Sequence, residues 1–201
     1  TTELGSNTIQ VNGTNNTTKG FNNNCFINGS DNEIANGVNN TTVLGNYGIA
    51  ERDGEVVIGG GGRGRGGIGD TQSSTFALYG ATTPASAHYS SYLYINNSAT
   101  NIIINRSSTS FQGFEANVIG VRTGGTAAGS VNDRIFLRVT GIAYLNVVDD
   151  TVATLGSFGT VTGWSAGVVF TGVNDMHLEV TGAANMNISW SATMNFYEMK
   201  T

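Results

Sequence analysis

Only two histidines, His88 and His177, stand in the 201 residues, so a Ser-His-Asp arrangement would have to place one of them beside a serine at a strained turn. His177 falls on the polar side of an alternating run, two residues before Glu179, where a solvated side chain is expected; His88 falls in a polar loop. Glycan cleavage uses two carboxylates a few ångströms apart. Asp149-Asp150 with Asp175 or Glu179 offers such groups, but adjacent aspartates are turn formers and a β-turn is the expectation. Ser30-Asp31-Asn32-Glu33 offers oxygens to calcium without the spacing of a known loop, and a solvated turn is expected there too. The residues therefore point to no enzyme, no metal site and no cofactor.

Binding chemistry has better candidates. Charged residues make up 11% of the chain, against roughly 25% in an ordinary domain, and Asn, Thr, Ser and Gly replace them. On such a surface a glycan is gripped by an exposed aromatic ring for its apolar face and by amides or carboxylates for its hydroxyls. Tyr89 and Tyr92 lie in a serine-rich stretch, Asp149 and Asp150 at the expected turn, and Trp164 at a strand start after Thr162-Gly163. These five are the candidate ligand-binding residues, forming a shallow site rather than a deep cleft.

Other partners are disfavoured. The run Gly59 to Asp70 holds Arg63 and Arg65 among glycines, yet the chain carries a formal charge of -5, and phosphate binding needs clustered positive charge. Nucleic acid is not expected, and the run reads as a joint. Cys25 is the only cysteine, so no intrachain disulfide exists and a buried thiol is expected. No stretch approaches the roughly 20 apolar residues of a membrane span, so membrane insertion is not expected. The chain opens at Thr1 without a methionine, which leaves room for an upstream segment.

The elements that must position these residues are all β. Gln10-Val11-Asn12-Gly13, Phe26-Ile27-Asn28-Gly29, Val43-Leu44-Gly45 and Val57-Ile58-Gly59 each set a short apolar strand before a glycine, at steps of 16, 16 and 14 residues. Polar turns at Thr14-Asn15-Asn16, Ser30 to Glu33 and Asn46-Tyr47-Gly48, with glycines at 20, 37 and 54, mark two corners per unit. Two corners per short unit describe a coil that must stack on its neighbours to share a core. Asn15, Asn16, Asn23, Asn24, Asn39 and Asn40 suit either turn conformations or side-chain ladders between coils. From Thr75 onward the pattern alternates: Ile135, Leu137 and Val139 against Arg134, Phe136, Arg138 and Thr140; Trp164, Ala166, Val168 and Phe170; Met176, Leu178 and Val180; Ile188 to Phe196 at every second place. Glycine-punctuated strands of this kind predict an antiparallel, jelly-roll-like β-sandwich. The division is then 1–58 for a stacked-coil neck (β-roll or triple β-helix), 59–70 for a glycine-rich joint and 71–201 for the sandwich.

Residues from about Gly69 to Thr201, with Leu78-Tyr79-Gly80-Ala81-Thr82-Thr83, Phe114 to Arg122, Leu178-Glu179-Val180-Thr181-Gly182 and Ile188-Ser189-Trp190-Ser191-Ala192-Thr193, resemble the C-terminal domain of tailed-phage tail fibres. The repeats before them resemble the stacked-coil heads of trimeric adhesins and phage fibre shafts. The resemblance implies a homotrimer at the virion surface, joined to other virion proteins, that binds a host surface receptor. Unclosed strand edges in a coil stack also favour association of copies. The expected function is non-catalytic attachment to a host glycan; the alternatives are a capsular polysaccharide depolymerase, a bacterial trimeric adhesin and a purely structural spike.

Overall fold

The computed structural model describes residues 7–61, 67–83, 90–95, 110–145, 147–171 and 175–200. Every regular element among them is a β-strand. They divide into two compact units, one of residues 1–76, 109–112 and 195–201, the other of 77–108 and 113–194.

The first unit is a β-solenoid of about three turns. Strands β1 (Asn7–Thr14), β3 (Asn23–Ser30), β5 (Thr42–Asn46) and β7 (Val56–Gly60) form one parallel ladder, and β2 (Thr17–Thr18), β4 (Glu33–Ile34) and β6 (Ile49–Ala50) form a second. The glycine step of the sequence is the stacking register, since Gly13 pairs with Gly29, Gly29 with Gly45 and Gly45 with Gly59. Gly29 and Gly45 have φ of +141° and +84°, and a Cβ on Gly45 would lie 2.7 Å from the carbonyl oxygen of Gly59. Only glycine tolerates both demands. Val11, Ile27, Val43 and Val57 stack in one column, and Ile27, Val43 and Val57 join Cys25, Ile34, Val38 and Ala50 in the buried core.

The asparagines serve both purposes that the sequence leaves open. Asn15, Asn24 and Asn40 occupy left-handed backbone at φ near +55°, which asparagine accepts better than most residues. Their neighbours build ladders. Asn23 Nδ2 donates to Asn39 Oδ1 at 3.2 Å and Asn39 N donates to Asp53 Oδ1 at 2.6 Å. In the buried column, Asn32 N donates to Asn16 Oδ1 at 3.1 Å, Asn32 Nδ2 to Gly45 O at 2.7 Å, and Gly48 N to Asn32 Oδ1 at 2.8 Å. Asp31 accepts from Asn15 at 3.2 Å and Glu33 pairs with Lys19 at 2.6 Å, so the oxygens first weighed for calcium serve the coil instead.

Strand β6 ends the second ladder, and its exposed peptide edge is closed by a side chain. Ile49 N donates to Gln72 Oε1 at 2.9 Å while Gln72 Nε2 donates to Ile49 O at 3.1 Å, so the amide imitates a further strand. Gln72 Nε2 also reaches Glu198 Oε2 at 3.0 Å, and Arg52 lies between Glu55 (2.6 Å) and Glu198 (3.7 Å). Burial lowers the Arg52 pKa, but attraction from Glu55, Glu198 and Glu51 outweighs it and the net direction is upward. The glycine run differs from a plain joint: Gly59 and Gly60 continue β7, paired with Gly45 and Asn46. A turn is present at its end, where Gly67 N donates to the Asp70 carboxylate at 3.0 Å; residues 62–66 lie outside the described residues.

The second unit contains most of the long strands. Strands β8 (Thr71–Thr82), β11 (Ser110–Gly125) and β16 (Met186–Lys200) have residues in both units. In the order β8, β16, β11, β12 (Arg134–Tyr144), β13 (Val147–Phe158) they make one sheet, with β10 (Tyr94–Ile95) also on β8. Strands β14 (Ser165–Phe170), β15 (Met176–Thr181) and β9 (Ser90–Tyr92) make a three-stranded antiparallel sheet. The alternation holds: Ile135, Leu137 and Val139, Ile188, Trp190, Ala192 and Met194, and Leu178 and Val180 are buried. Phe170 departs from its expected core place and is half-buried at the end of β14. Trp190 meets Trp164 edge-on at 5.7 Å between centroids, and its Nε1 donates to Thr82 Oγ1 at 3.1 Å.

Candidate receptor-binding surface

The expected site residues scatter. Trp164 is 5% exposed, packed on Trp190, because it shares the inward parity of Ala166 and Val168; its ring is a core element, unavailable to a sugar. Asp149 and Asp150 are not a turn but lie inside β13, opposite Ile142 and Gly141. The chain turns earlier, after Tyr144, where Leu145 takes φ +54°. Neighbouring strand residues face opposite sides, so the two carboxylates cannot converge on one bond. Asp149 is exposed on the outward row. Asp150 Oδ2 accepts from Val168 N at 2.8 Å and occupies a backbone donor of β14. Tyr92, half-buried, stacks on His177 at 4.5 Å; Tyr89 and His88 lie outside the described residues.

His177 is buried rather than solvated, at 1% exposure. Tyr92 of β9 stacks on its ring and Thr171, after β14, meets it from the other neighbour, so the outward parity no longer means water. Its ring nitrogen Nε2 lies 2.6 Å from Thr171 Oγ1, while Nδ1 has no hydrogen-bond partner among the described residues. Burial pushes its pKa below the usual 6.5, with Asp175 opposing the shift. A serine nucleophile is not expected from the sequence, yet one Gly-x-Ser-x-Gly string does occur, Gly163-Trp164-Ser165-Ala166-Gly167. It opens strand β14 and not a helix, so it lacks the strand-to-helix elbow that activates such a serine. Ser165 pairs with Thr181 and Val169 with His177, which separates serine and imidazole by roughly 13 Å along the sheet.

What the structure does assemble is the outward face of the β12–β13 hairpin. Arg134 lies opposite Phe158, Phe136 opposite Gly156, and Thr140 opposite Thr151, with a register shift after Phe136. Phe158 is 62% exposed, Ile119 48% and Phe136 38%. Ile119, Arg134, Phe136, Gly156 and Phe158 surround a surface cavity of about 480 Å³, within the size range of small-ligand sites. A Cβ on Gly156 would meet no atom within 4 Å, so the floor is open. The Arg134 guanidinium lies 4.7 Å over the Phe158 ring and makes no ion pair among the described residues, whereas Arg138 on the same row faces Glu115 at 3.4 Å.

The backbone under this groove is fixed. Arg122 donates to the carbonyls of Gly124 (3.0 Å), Ala127 (2.7 Å) and Ala128 (2.9 Å) and faces Asp133 at 3.6 Å. Asp133 accepts from Ser130 N at 2.9 Å, and its backbone carbonyl accepts from Arg122 N at 2.8 Å. The residue before Arg134 is thus held from two sides. Its signal in the sequence was Phe136, an aromatic ring on the polar parity of an alternating strand.

No protein-family model and no curated protein matches the chain. Among solved structures, the tailspike protein of Acinetobacter baumannii phage AM24 is similar at 12% identity and TM-score 0.41, over 88% of this chain and 34% of that one. The tailspike protein of Acinetobacter phage vB_ApiP_P1 is similar at 11% identity and TM-score 0.35, over 92% and 41%. The chain spans well under half the length of either, and likeness at these scores fixes neither fold nor function.

Proposed function

We propose that the chain is a virion-surface fibre or spike component of a tailed phage that binds a host surface glycan without cleaving it. The observation that carries this reading is the outward hairpin face, where the exposed rings of Phe136 and Phe158 lie beside Arg134 and the hydroxyls of Thr140 and Thr151 follow along the same row. Rings take the apolar face of a sugar and hydroxyls its polar edge. The resemblance of the C-terminal strands to phage fibre tips supports the same role. In this reading the second unit is a jelly-roll-like sandwich.

Assembly as a homotrimer, joined to other virion proteins, belongs to the proposal. In the first unit Val56, Ile58, Tyr197 and Met199 are each at least 42% exposed, and Ile58, Tyr197 and Met199 share a depression of about 390 Å³. An apolar row of this kind marks an interaction surface, and copies of the chain are the occupants proposed for it.

The test separates attachment from cleavage. Purified chain is incubated with envelope polysaccharide from a strain to which it adsorbs, and reducing ends are counted. Retention of the chain on the polymer with no rise in reducing ends is expected. A rise would replace the binder with a depolymerase, and no adsorption to any strain of a wide panel would leave a structural spike.

A further inference from the structure

We infer that the groove at Arg134, Phe136 and Phe158 selects a sugar bearing a carboxylate. The inference rests on the glycan-binding reading above and names the class of residue recognised. Three features on the β12–β13 face combine. The guanidinium of Arg134 makes no ion pair among the described residues, although the chain carries a formal charge of -5. A free planar guanidinium with one face on an aromatic ring keeps its edge donors available, and that edge matches a carboxylate with two parallel hydrogen bonds. Next to it, Phe136 and Ile119 offer the apolar surface that the face of a pyranose ring needs, and the open floor at Gly156 gives it room.

A neutral sugar uses the apolar half of this site only. A neighbouring copy of the chain is the other occupant to weigh, and the charge argues against it. Covering Arg134 with an apolar surface would bury an unpaired cation, which is strongly unfavourable. The exposed row at Ile58, Tyr197 and Met199 has one charged neighbour, Glu198, which is buried and partnered by Arg52 and Gln72, so the row suits that purpose better. The groove is also built in advance of any ligand, since Arg122 and Asp133 hold the chain that leads into Arg134. Pre-organisation of this kind lowers the entropic cost of binding.

Saturation-transfer NMR with methyl glucuronide, and with methyl glucoside as its neutral counterpart, tests the inference on the full chain. Wild type is expected to bind the glucuronide about tenfold more tightly than the glucoside, the factor one charge-assisted pair supplies. Arg134→Gln should bind both alike, Arg134→Lys should fall between, and Phe158→Ala should lose both. Circular dichroism and sedimentation run on every variant. Equal binding of the two glycosides by wild type, or an unchanged preference in Arg134→Gln, overturns the inference while leaving the attachment reading in place, provided that wild type still adsorbs to cells. A fall in the sedimenting mass of Phe158→Ala overturns it differently, by making the groove a contact between copies.

Discussion

At the residue scale the parity of each strand decides most side chains. Trp190 is 1% exposed, touches Trp164 and Thr82, and lies so close over Gly120 that a Cβ there would strike its ring. Truncation to Ala should cost about 3–5 kcal/mol, read as a lower midpoint in denaturant; an unchanged midpoint would contradict its inward place. His177 gives a pH signature. Burial holds its folded pKa below the usual 6.5, so as the pH falls the unfolded chain takes the proton first. The stability tied to the neutral ring is complete above about pH 6.5 and is lost as the pH drops from there toward the lower folded value. Wild type should therefore lose more melting temperature than His177→Gln between about pH 7.5 and about pH 5.5. Parallel curves would show that the ring is free to protonate. Both residues stand on alternating runs, but only Trp190 could be placed from the sequence, because His177 is covered by the Tyr92 ring and met by Thr171, which no local pattern joins to it.

At the element scale the coil was the most legible part, because the sequence period and the stacking register are one quantity: glycines 16 residues apart become paired glycines. The cap on β6 was not legible. Gln72 lies 23 residues from Ile49, and Glu198 a further 126 residues on, so no local pattern joins them. Asp149-Asp150 misled for the opposite reason: turn-forming composition was overruled by pairing across β12 and β13. The buried asparagine column separates structural from decorative amides. Asn32→Ala strands Gly48 N and Gly45 O, and should cost about 1–3 kcal/mol; Asn23→Ala, on the exposed ladder, should cost under about 0.5 kcal/mol. Equal costs in urea unfolding would mean that the buried column adds nothing beyond turn preference.

At the scale of the whole molecule, the proposal assigns the exposed apolar row to assembly and Arg134, without an ion pair among the described residues, to recognition. The proposed trimer predicts a sedimentation-equilibrium mass of three times the 20.9 kDa chain; a single-chain mass at micromolar concentration would remove it. The groove at Arg134 was half legible, since Phe136 on a wet parity was visible but Phe158, 22 residues on, was not tied to it until the hairpin paired them with Arg134 and Gly156. Recognition of a cell surface is the central claim, and whole-cell binding tests it most directly. Fluorescently labelled chain is titrated onto a bacterial strain that retains it and onto an isogenic strain stripped of its surface polysaccharide. Saturable binding to the first and none to the second is the predicted result; equal binding to both strains would contradict it.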